Sequence, residues 1–336
     1  MDLSVIIPAR GGQRYLAGCL RSVTRCPGDK IGMECIVVCD DGTDETAAIT
    51  GRYMERDNRI KLVITEERAG AGAYNTGIES AAGNYIMFLE TSDRLCEDAW
   101  EQIEAAVGEE YADFVAFSQI TSRRNGKLKA QMLPLSDVIS TDDREARRLL
   151  YTDSVLGSCA GKLFKSRIIR DNNLFFQTDH PLYAETVFVT EYFEHSESCL
   201  LTKAMILYRP PEDGSAVGAH GVEERLDMLR GLYDLHAGAV GRCNDSALMH
   251  GMQVHYLQVL TDLFCGYAAA YGDSKSALEI IYAKALEDRF LKSLLGEVDE
   301  HWIRSKMTRY EYRLLRKGDA AKMRKHFCIR AKLRLS

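Results

Sequence analysis

The chain has 336 residues, 46% of them hydrophobic and 27% charged, which is typical of a folded globular protein and unlike a disordered or fibrous one. No apolar run approaches the roughly 18 residues that a membrane-spanning helix needs, so we expect no such helix. The ten cysteines are scattered, with no C-x-x-C pair and no His pair at zinc spacing. This pattern argues against a zinc site and predicts free thiols in a reducing cytoplasm.

The net charge of −6 is unevenly distributed along the chain. Residues 304–336 hold 12 Lys and Arg against 2 Asp and Glu, whereas the other residues hold 31 against 47. The acidic body argues against nucleic-acid binding. In the basic segment, apolar residues alternate with basic ones, which is typical of a helix attached to an anionic membrane surface. A basic helix that covers the acidic body or contacts another domain is the alternative interpretation.

The first 95 residues alternate between apolar, strand-like runs and helical stripes. We expect no signal peptide, because the chain enters its first strand directly. The predicted strands are Leu3–Ile7, Glu34–Cys39, Ile60–Thr65 and Tyr85–Leu89, and the predicted helices are Tyr15–Thr24, Glu45–Arg56 and Gly70–Ser80. This alternation predicts an α/β protein with a doubly wound, mostly parallel sheet.

The alternation continues less regularly to a proline-rich loop at Pro210–Gly214. The predicted elements are helix Glu97–Val107, strand Phe114–Gln119, a hairpin turn at Arg123–Lys127, a helix, loop and short strand over Leu149–Arg170, helix Ala184–Glu194 and strand Lys203–Tyr208. From Val222 onward the pattern is helical, with breaks at Gly241–Asp245 and Gly272–Asp273. We therefore predict a domain over 1–220, with halves 1–105 and 106–220, and an appended helical region over 221–336.

One predicted strand ends in an acidic turn. Tyr85–Leu89 is an unbroken apolar run, as expected of a central parallel strand, and Glu90 and Asp93 follow where it emerges. Ligands of open α/β sheets bind at the carboxyl ends of the strands. Two carboxylates at that place predict a divalent cation and its phosphate ligand.

The order and spacing of four motifs resemble the family-2 glycosyltransferases of GT-A fold. They are Ser4–Pro8, Val37–Asp44, Ala73–Ile78 and Tyr85–Asp93. A weaker match continues through Gly161–Phe164, Leu182–Thr186 and Tyr208–Arg209, so that the resemblance covers about two thirds of the chain. Within the family, the chain resembles the bacterial capsule, exopolysaccharide and teichoic-acid transferases.

The resemblance assigns a uridine pocket to the ends of the first two strands. It implies that Pro8 and Ala9 line the pocket and that Asp41 accepts a hydrogen bond from a base N–H. In the alternative interpretation, Asp40 and Asp41 form a solvated turn that caps the following helix.

The resemblance also implies a diphosphate at a helix N-terminus. Asn75 lies in a glycine-rich helix start, where small residues and the helix dipole favour phosphate. The family usually has Arg before this Asn, but here the residue is Tyr74, and Arg68 in the preceding loop is the candidate substitute. A simple glycine-rich connector is the alternative.

The acidic turn departs from the Asp-x-Asp motif of the family. Glu90 replaces the first Asp and Ser92 the second, with Thr91 between them. The resemblance implies that Glu90 and Thr91 contact the nucleotide, and that Glu90 and Asp93 bind Mn²⁺ or Mg²⁺. Because the hydroxyl of Ser92 is neutral, we expect the affinity for the ion to be reduced.

The predicted catalytic base departs as well. Inverting members use a carboxylate, often within a Glu–Asp pair at the start of a late helix, to deprotonate the acceptor hydroxyl. Here Ala184 removes one acid and Glu185 stands in the place of the base. An exposed carboxylate at a helix start is the alternative for Glu185, and we interpret the nearby His180 as a loop residue.

These features predict a cytoplasmic, peripherally membrane-associated glycosyltransferase. The resemblance implies that it would move a sugar, with inversion, from a UDP-sugar donor to a glycan or lipid-linked acceptor of a cell-surface polymer. The C-terminal helices could form an oligomer. The alternative is a GT-A module that has lost turnover and binds nucleotide-sugar or polymer, or acts as a scaffold. A nucleotidyltransferase is a third option, although the chain has no basic triphosphate loop near its start.

Overall fold

The computed structural model describes residues 2–9, 11–27, 31–39, 45–66, 70–108, 112–122, 128–133, 137–152, 156–178, 183–210 and 221–335. The chain forms two compact units. The first comprises Met1–Leu150 with Ser154–Pro211, and the second comprises Tyr151–Asp153 with Glu212–Ser336.

A ten-stranded mixed sheet forms the centre of the first unit. Its strands are β1 (Leu3–Pro8), β2 (Met33–Cys39), β3 (Ile60–Ile64), β4 (Tyr85–Phe88), β5 (Arg94–Leu95), β6 (Phe114–Ser122), β7 (Leu128–Gln131), β8 (Val138–Ser140), β9 (Lys162–Lys165) and β10 (Ser198–Arg209). The order is β3-β2-β1-β4-β9-β6-β10-β5, with β7 beside β6 and β8 beside β10. Strands β3, β2, β1 and β4 are parallel, and β9 is antiparallel to both of its neighbours.

Seven helices accompany this sheet in the described residues. They are α1 (Gln13–Val23), α2 (Thr46–Met54), α3 (Gly70–Ser80), α4 (Ala99–Gly108), α5 (Arg144–Thr152), α6 (Ser166–Asp171) and α7 (Ala184–Glu194). The continuous apolar runs of β2 and β4 are wholly buried, as expected of strands covered on both faces. The predicted doubly wound, mostly parallel sheet is thus confirmed.

Several boundaries differ from the predictions. The strand predicted at Lys203–Tyr208 is twice as long, because its first half pairs with β6 and β8. The segment predicted as helix, loop and short strand over Leu149–Arg170 begins earlier, at Arg144, and continues after β9 into helix α6. The predicted turn at 123–127 lies outside the described residues, although β6 and β7 on either side of it are antiparallel neighbours.

One buried carboxylate joins three strands of the sheet. Glu34 on β2 has a side chain that is 1% exposed, and it accepts hydrogen bonds from Ser4 Oγ on β1 at 2.6 Å and from Lys61 Nζ on β3 at 2.6 Å. The main-chain N–H of Ala82, just before β4, donates to the same carboxylate at 2.7 Å. These partners explain how an ionised group is accommodated in the core.

The second unit is helical. Its helices are α8 (Val222–Arg242), α9 (Ser246–Tyr271), α10 (Lys275–Glu287), α11 (Arg289–Glu297), α12 (Lys306–Lys317) and α13 (Ala320–Leu335), with a 3₁₀ turn at Glu300–Trp302. The breaks predicted at Gly241–Asp245 and Gly272–Asp273 are present, and the side chains of Asp245 and Ser274 cap the helices that follow them. No helix in the described part of the chain is long and apolar enough to cross a bilayer.

Part of the basic segment is paired within its own unit. Glu311 on α12 is 1% exposed and lies 2.9 Å from both His326 Nε2 and Arg330 Nη1 on α13. Arg330 Nη2 also lies 2.6 Å from Asp262 on α9. The ten cysteines are all free thiols, as predicted.

Candidate active site

The carboxyl ends of β1 and β4 lie side by side and place the first candidate residues. Pro8 is the last residue of β1 and is partly buried. Ala9 is fully buried; its N–H donates to Val38 O at 2.8 Å and its carbonyl accepts from Thr46 Oγ1 at 3.1 Å. Asp41 and Arg68 lie outside the described residues, so their assignment to the nucleotide stays a prediction.

A glycine that sequence reasoning missed brings the loop after β1 against the turn after β4. A Cβ atom on Gly12 would lie 2.3 Å from Oγ1 of Thr91, closer than any real Cβ contact. Only glycine permits this approach. Gly12 therefore fixes the position of Thr91, one of the residues predicted to contact the nucleotide.

Asn75 is engaged with the main chain of a distant segment. Its Nδ2 donates to Phe176 O at 2.9 Å, and its Oδ1 accepts from Phe176 N at 2.7 Å. The ring of Phe176 stacks between Tyr74, at 4.5 Å between centroids, and Phe188 of α7, at 4.2 Å. Asn75 is the sixth of the eleven residues of α3, so the middle of that helix, rather than its N-terminus as predicted, is joined to α7 through Phe176.

The acidic turn after β4 surrounds a guanidinium group. Arg209 Nη2 lies 2.6 Å from Glu90 Oε1, and Arg209 Nε lies 3.2 Å from Asp93 Oδ1. The second contact is an ion pair by distance only, because Asp93 Oδ1 accepts no hydrogen bond from the described residues. Asp93 Oδ2 accepts the main-chain N–H of Glu90 at 3.0 Å, which closes the turn.

The register of two strands explains this contact. Strand β5 is antiparallel to β10, with Leu95 opposite Leu207 and Arg94 opposite Tyr208. One position further in the same register, Asp93, which directly precedes β5, lies opposite Arg209, the last residue of β10. The motif Tyr208–Arg209 was noticed in the sequence, but no role was assigned to it.

Burial and charge set the protonation of this cluster. Burial raises the pKa of Asp93 to about 6, a shift that Arg209 opposes and Glu90 reinforces. Burial by itself would lower the pKa of Arg209, but Asp93, Glu90 and Glu185 outweigh it and hold that pKa above the ordinary value. Arg209 is therefore a permanent cation.

The predicted Mn²⁺ or Mg²⁺ does not fit these residues as they are arranged. The Asp93 side chain is 1% exposed, and both of its oxygens face protein groups. Glu90 Oε1 contacts the guanidinium, which would repel a divalent cation at the same place. No group of three or more His, Cys, Asp or Glu side chains in the described residues could hold an ion.

Glu185 lies in the first turn of α7 and belongs to the same electrostatic cluster. Its Oε2 accepts the main-chain N–H of Cys159 at 2.8 Å. Burial raises the pKa of Glu185, while Arg209 lowers it and Glu90 raises it further. Glu185 is only partly exposed, unlike the solvated carboxylate of the alternative interpretation. His180 lies outside the described residues.

Two more groups near Glu185 were missed as site residues. Lys162 on β9 is 1% exposed, and its Nζ donates to Ala160 O at 3.2 Å. Its charge favours the ionised form of Glu185. Tyr74 has a pKa well above its ordinary value because of burial and the charges of Glu185 and Glu90. The available sequence signal for Lys162 was a lysine directly before the apolar pair Leu163 and Phe164.

A sequence model of the Glycosyl transferase family 2 matches residues 4–171, half of the chain. The chain belongs to this family. The match spans all four of the motifs on which the resemblance rested, and the predicted family is confirmed. Family membership also confirms the predicted class of enzyme.

Two relatives show how far the sequence likeness extends. EpsH of Bacillus subtilis (strain 168), named as a glycosyltransferase, is 29% identical over 196 residues, which are 57% of this chain and 54% of EpsH. TarS of Staphylococcus aureus (strain Mu50), a poly(ribitol-phosphate) beta-N-acetylglucosaminyltransferase, is 20% identical over 237 residues, 68% of this chain and 39% of TarS. The family-2 chain thus spans about half or less of the length of these relatives.

Solved structures of glycosyltransferases confirm the GT-A fold. The S. aureus TarS fragment 1-349 in complex with UDP matches with a TM-score of 0.62 at 17% identity, over 99% of this chain and 92% of that one. The mannosyltransferase PcManGT from Pyrobaculum calidifontis, solved with GDP-Man and Mn²⁺, matches with a TM-score of 0.51 at 15% identity, over 99% and 86% of the two chains.

Proposed function

We propose that this family-2 glycosyltransferase moves a sugar from a UDP-sugar to a hydroxyl group of a cell-surface polymer, with inversion at the sugar carbon. The observation that carries the proposal is Glu185, held by the Cys159 N–H beside Arg209 and Glu90 at the carboxyl end of β4. TarS structures with UDP and UDP-GlcNAc support a uridine nucleotide donor. The poly(ribitol-phosphate) acceptor in the name of TarS supports a teichoic-acid type acceptor.

The proposed reaction is a single displacement. The acceptor oxygen forms a bond to the sugar carbon C1 as the bond from C1 to the β-phosphate oxygen breaks, and that bond's electron pair leaves with UDP. Glu185 receives the proton of the acceptor hydroxyl. A general base works best with a pKa near the operating pH, and burial moves Glu185 in that direction.

A divalent ion is part of the prediction, and glycosyltransferases of GT-A fold typically use one. A bound Mn²⁺ or Mg²⁺ would stabilise the charge of the leaving diphosphate. Because Glu90 and Asp93 are turned toward Arg209, no step of the proposed reaction passes through an ion.

The competing candidate is a binding or scaffolding module without turnover. Tyr74, Ser92 and Ala184, which stand in place of charged family residues, favour it. Ser92→Asp separates the two. If this variant gains metal-dependent UDP affinity and still shows no turnover, the module is supported; transfer by the unmodified chain excludes it.

We also propose a peripheral contact with anionic lipid through the basic segment. Its side chains Met307, Tyr310, Ile329 and Leu333 are between 51% and 70% exposed, among exposed Lys and Arg. Cosedimentation with vesicles containing anionic lipid, compared with neutral vesicles, tests this. Oligomer formation through the C-terminal helices stays a prediction, as does the cytoplasmic location.

Calorimetry with UDP, CDP and GDP is the first test of the function. Uracil-selective binding supports the transferase and justifies a donor screen that follows UDP release. Glu185→Gln should abolish release while leaving UDP binding intact. The matched control is Glu191→Gln on the same helix, a half-buried carboxylate whose partner is Gln177 and which should be dispensable. Equal loss in both variants would contradict the role of Glu185.

A further inference from the structure

We propose that Arg209 binds the donor diphosphate and stabilises the leaving group, supplying from the protein the positive charge that other glycosyltransferases of GT-A fold take from a divalent ion. This inference rests on the proposed function and deepens it. Its consequence is that nucleotide binding and transfer by this chain do not require Mn²⁺ or Mg²⁺.

The position of Arg209 is the first support. This position follows from the pairing of β5 with β10, which sets Arg209 opposite the turn between Glu90 and Asp93. In an open α/β sheet, this edge, at the carboxyl ends of the parallel strands, is where ligands bind. The side chain is 18% exposed, so it is held by its partners and still reaches solvent.

The second support is the way in which the guanidinium is held. Glu90 and Asp93 contact Nη2 and Nε. A guanidinium has five N–H donors in a rigid plane, so these described contacts leave Nη1 for phosphate oxygens. Two carboxylates thus orient the cation before the ligand arrives, which is the condition for effective charge stabilisation in a transition state.

The third support is the neutral residue between the two acids. An aspartate at the position of Ser92 would add a negative charge that favours a metal ion in the turn. Because Ser92 is neutral, that charge is missing, and the cation that Glu90 and Asp93 both contact is Arg209. Glu185 senses the same cation, since Arg209 favours its ionised form. The charge that meets the leaving group and the charge that favours the ionised form of the base therefore come from one side chain.

The electron and proton balance is that of the proposed reaction. As the bond from C1 to the β-phosphate oxygen breaks, negative charge grows on that oxygen, and the N–H groups of Arg209 donate to it. The acceptor proton goes to Glu185. No oxidant, reductant or further reactant is needed.

The test uses the full chain and measures UDP and uridine binding by calorimetry in EDTA and in Mn²⁺. We expect the UDP dissociation constant to agree within about twofold between the two buffers. Arg209→Gln should weaken UDP binding by about tenfold or more, since hydrogen bonds to charged groups are lost, and should leave uridine binding unchanged.

Arg147→Gln is the matched control. Arg147 is 15% exposed and pairs with two carboxylates, as Arg209 does, but these two, Asp142 and Glu194, are not among the candidate site residues. Arg147→Gln should lower stability about as much as Arg209→Gln does, and it should leave the affinity for UDP unchanged. The comparison of EDTA with Mn²⁺ on the unmodified protein needs no variant, so a folding defect in Arg209→Gln does not prevent the test.

The outcomes separate the two proposals. Uracil-selective binding that appears only with Mn²⁺, or that survives Arg209→Gln unchanged, overturns the role of Arg209 and leaves the proposed function standing. Absence of UDP binding under both conditions contradicts the proposed function itself, and the inference with it.

Discussion

The side chain of Asn75 forms two hydrogen bonds with the main chain of Phe176, which lies 101 residues further along the chain. This pair joins the middle of α3 to the segment before α7, the helix whose first turn contains Glu185. The side-chain amide of Asn75, which carries no charge, therefore helps to set the separation between Tyr74 and Glu185.

We expect Asn75→Ala to lower the free energy of unfolding by about 2–3 kcal/mol, because both main-chain groups of the fully buried Phe176 lose their partner. Urea denaturation of the purified chain measures this. Asn172→Ala is the control, since its amide makes one local hydrogen bond to Ile168 within a helix turn. A loss in Asn75→Ala no greater than in the control would show that the pair is not structural.

The acidic side of the pH–rate profile should move when Glu90 is neutralised. Glu185 accepts a proton only when ionised, so the rate should rise with pH through its raised pKa. Glu90 is one cause of that raised pKa; in Glu90→Gln the pKa should fall and the rise should occur at lower pH. The profile of kcat/KM against pH shows the shift. Glu191→Gln should leave the rise in place, and an upward shift in Glu90→Gln would contradict the assignment of the base.

Gly12→Ala should weaken UDP binding, because the new Cβ would meet Thr91 Oγ1 at 2.3 Å and displace the turn after β4. Gly51→Ala is the control: it lies on α2 with nothing within 4 Å of its Cβ. That substitution should stabilise the chain by up to about 1 kcal/mol through helix propensity and leave UDP binding unchanged. Calorimetry and thermal denaturation of both variants check the pair; equal UDP affinity in both would remove Thr91 from the site.

Stability in acid should depend on Glu34. Burial by itself would raise the pKa of Glu34, but hydrogen bonds from Lys61, Ser4 and the Ala82 N–H outweigh it and lower the pKa. A lowered pKa means that the carboxylate stabilises the fold above the unfolded value of about 4.3, and that this stabilisation is lost as the pH falls through the folded value.

Glu34→Gln should therefore lower the free energy of unfolding by about 2 kcal/mol at neutral pH. The further fall in that free energy as the pH is lowered should be smaller in the variant. Urea denaturation at about six pH values between pH 3 and pH 7 measures the slope of the free energy of unfolding against pH. Glu145→Gln serves as the control, because that carboxylate is 39% exposed and its pair with Arg148 contributes less than about 1 kcal/mol. Identical slopes in the two variants would exclude Glu34 as the source.

The sequence by itself determined the elements and the family. The helix predicted at Gly70–Ser80 and the one at Ala184–Glu194 have the predicted bounds, and the strand at Tyr85 differs by one residue. These segments are readable because apolar periodicity, small residues and turn residues act within a few positions of one another. The four motifs lie within the first 93 residues, where strand and motif follow each other closely.

The tertiary structure alone decided the partners within the site. Glu90 and Arg209 are 119 residues apart, and their contact depends on a strand that pairs with β6, β8 and β5 and contains register shifts between Thr202 and Leu207. A shift of one residue would turn Arg209 to the other face. Because register is set by long-range pairing and packing, the sequence could predict two acids at a strand end, but not the guanidinium that lies between them.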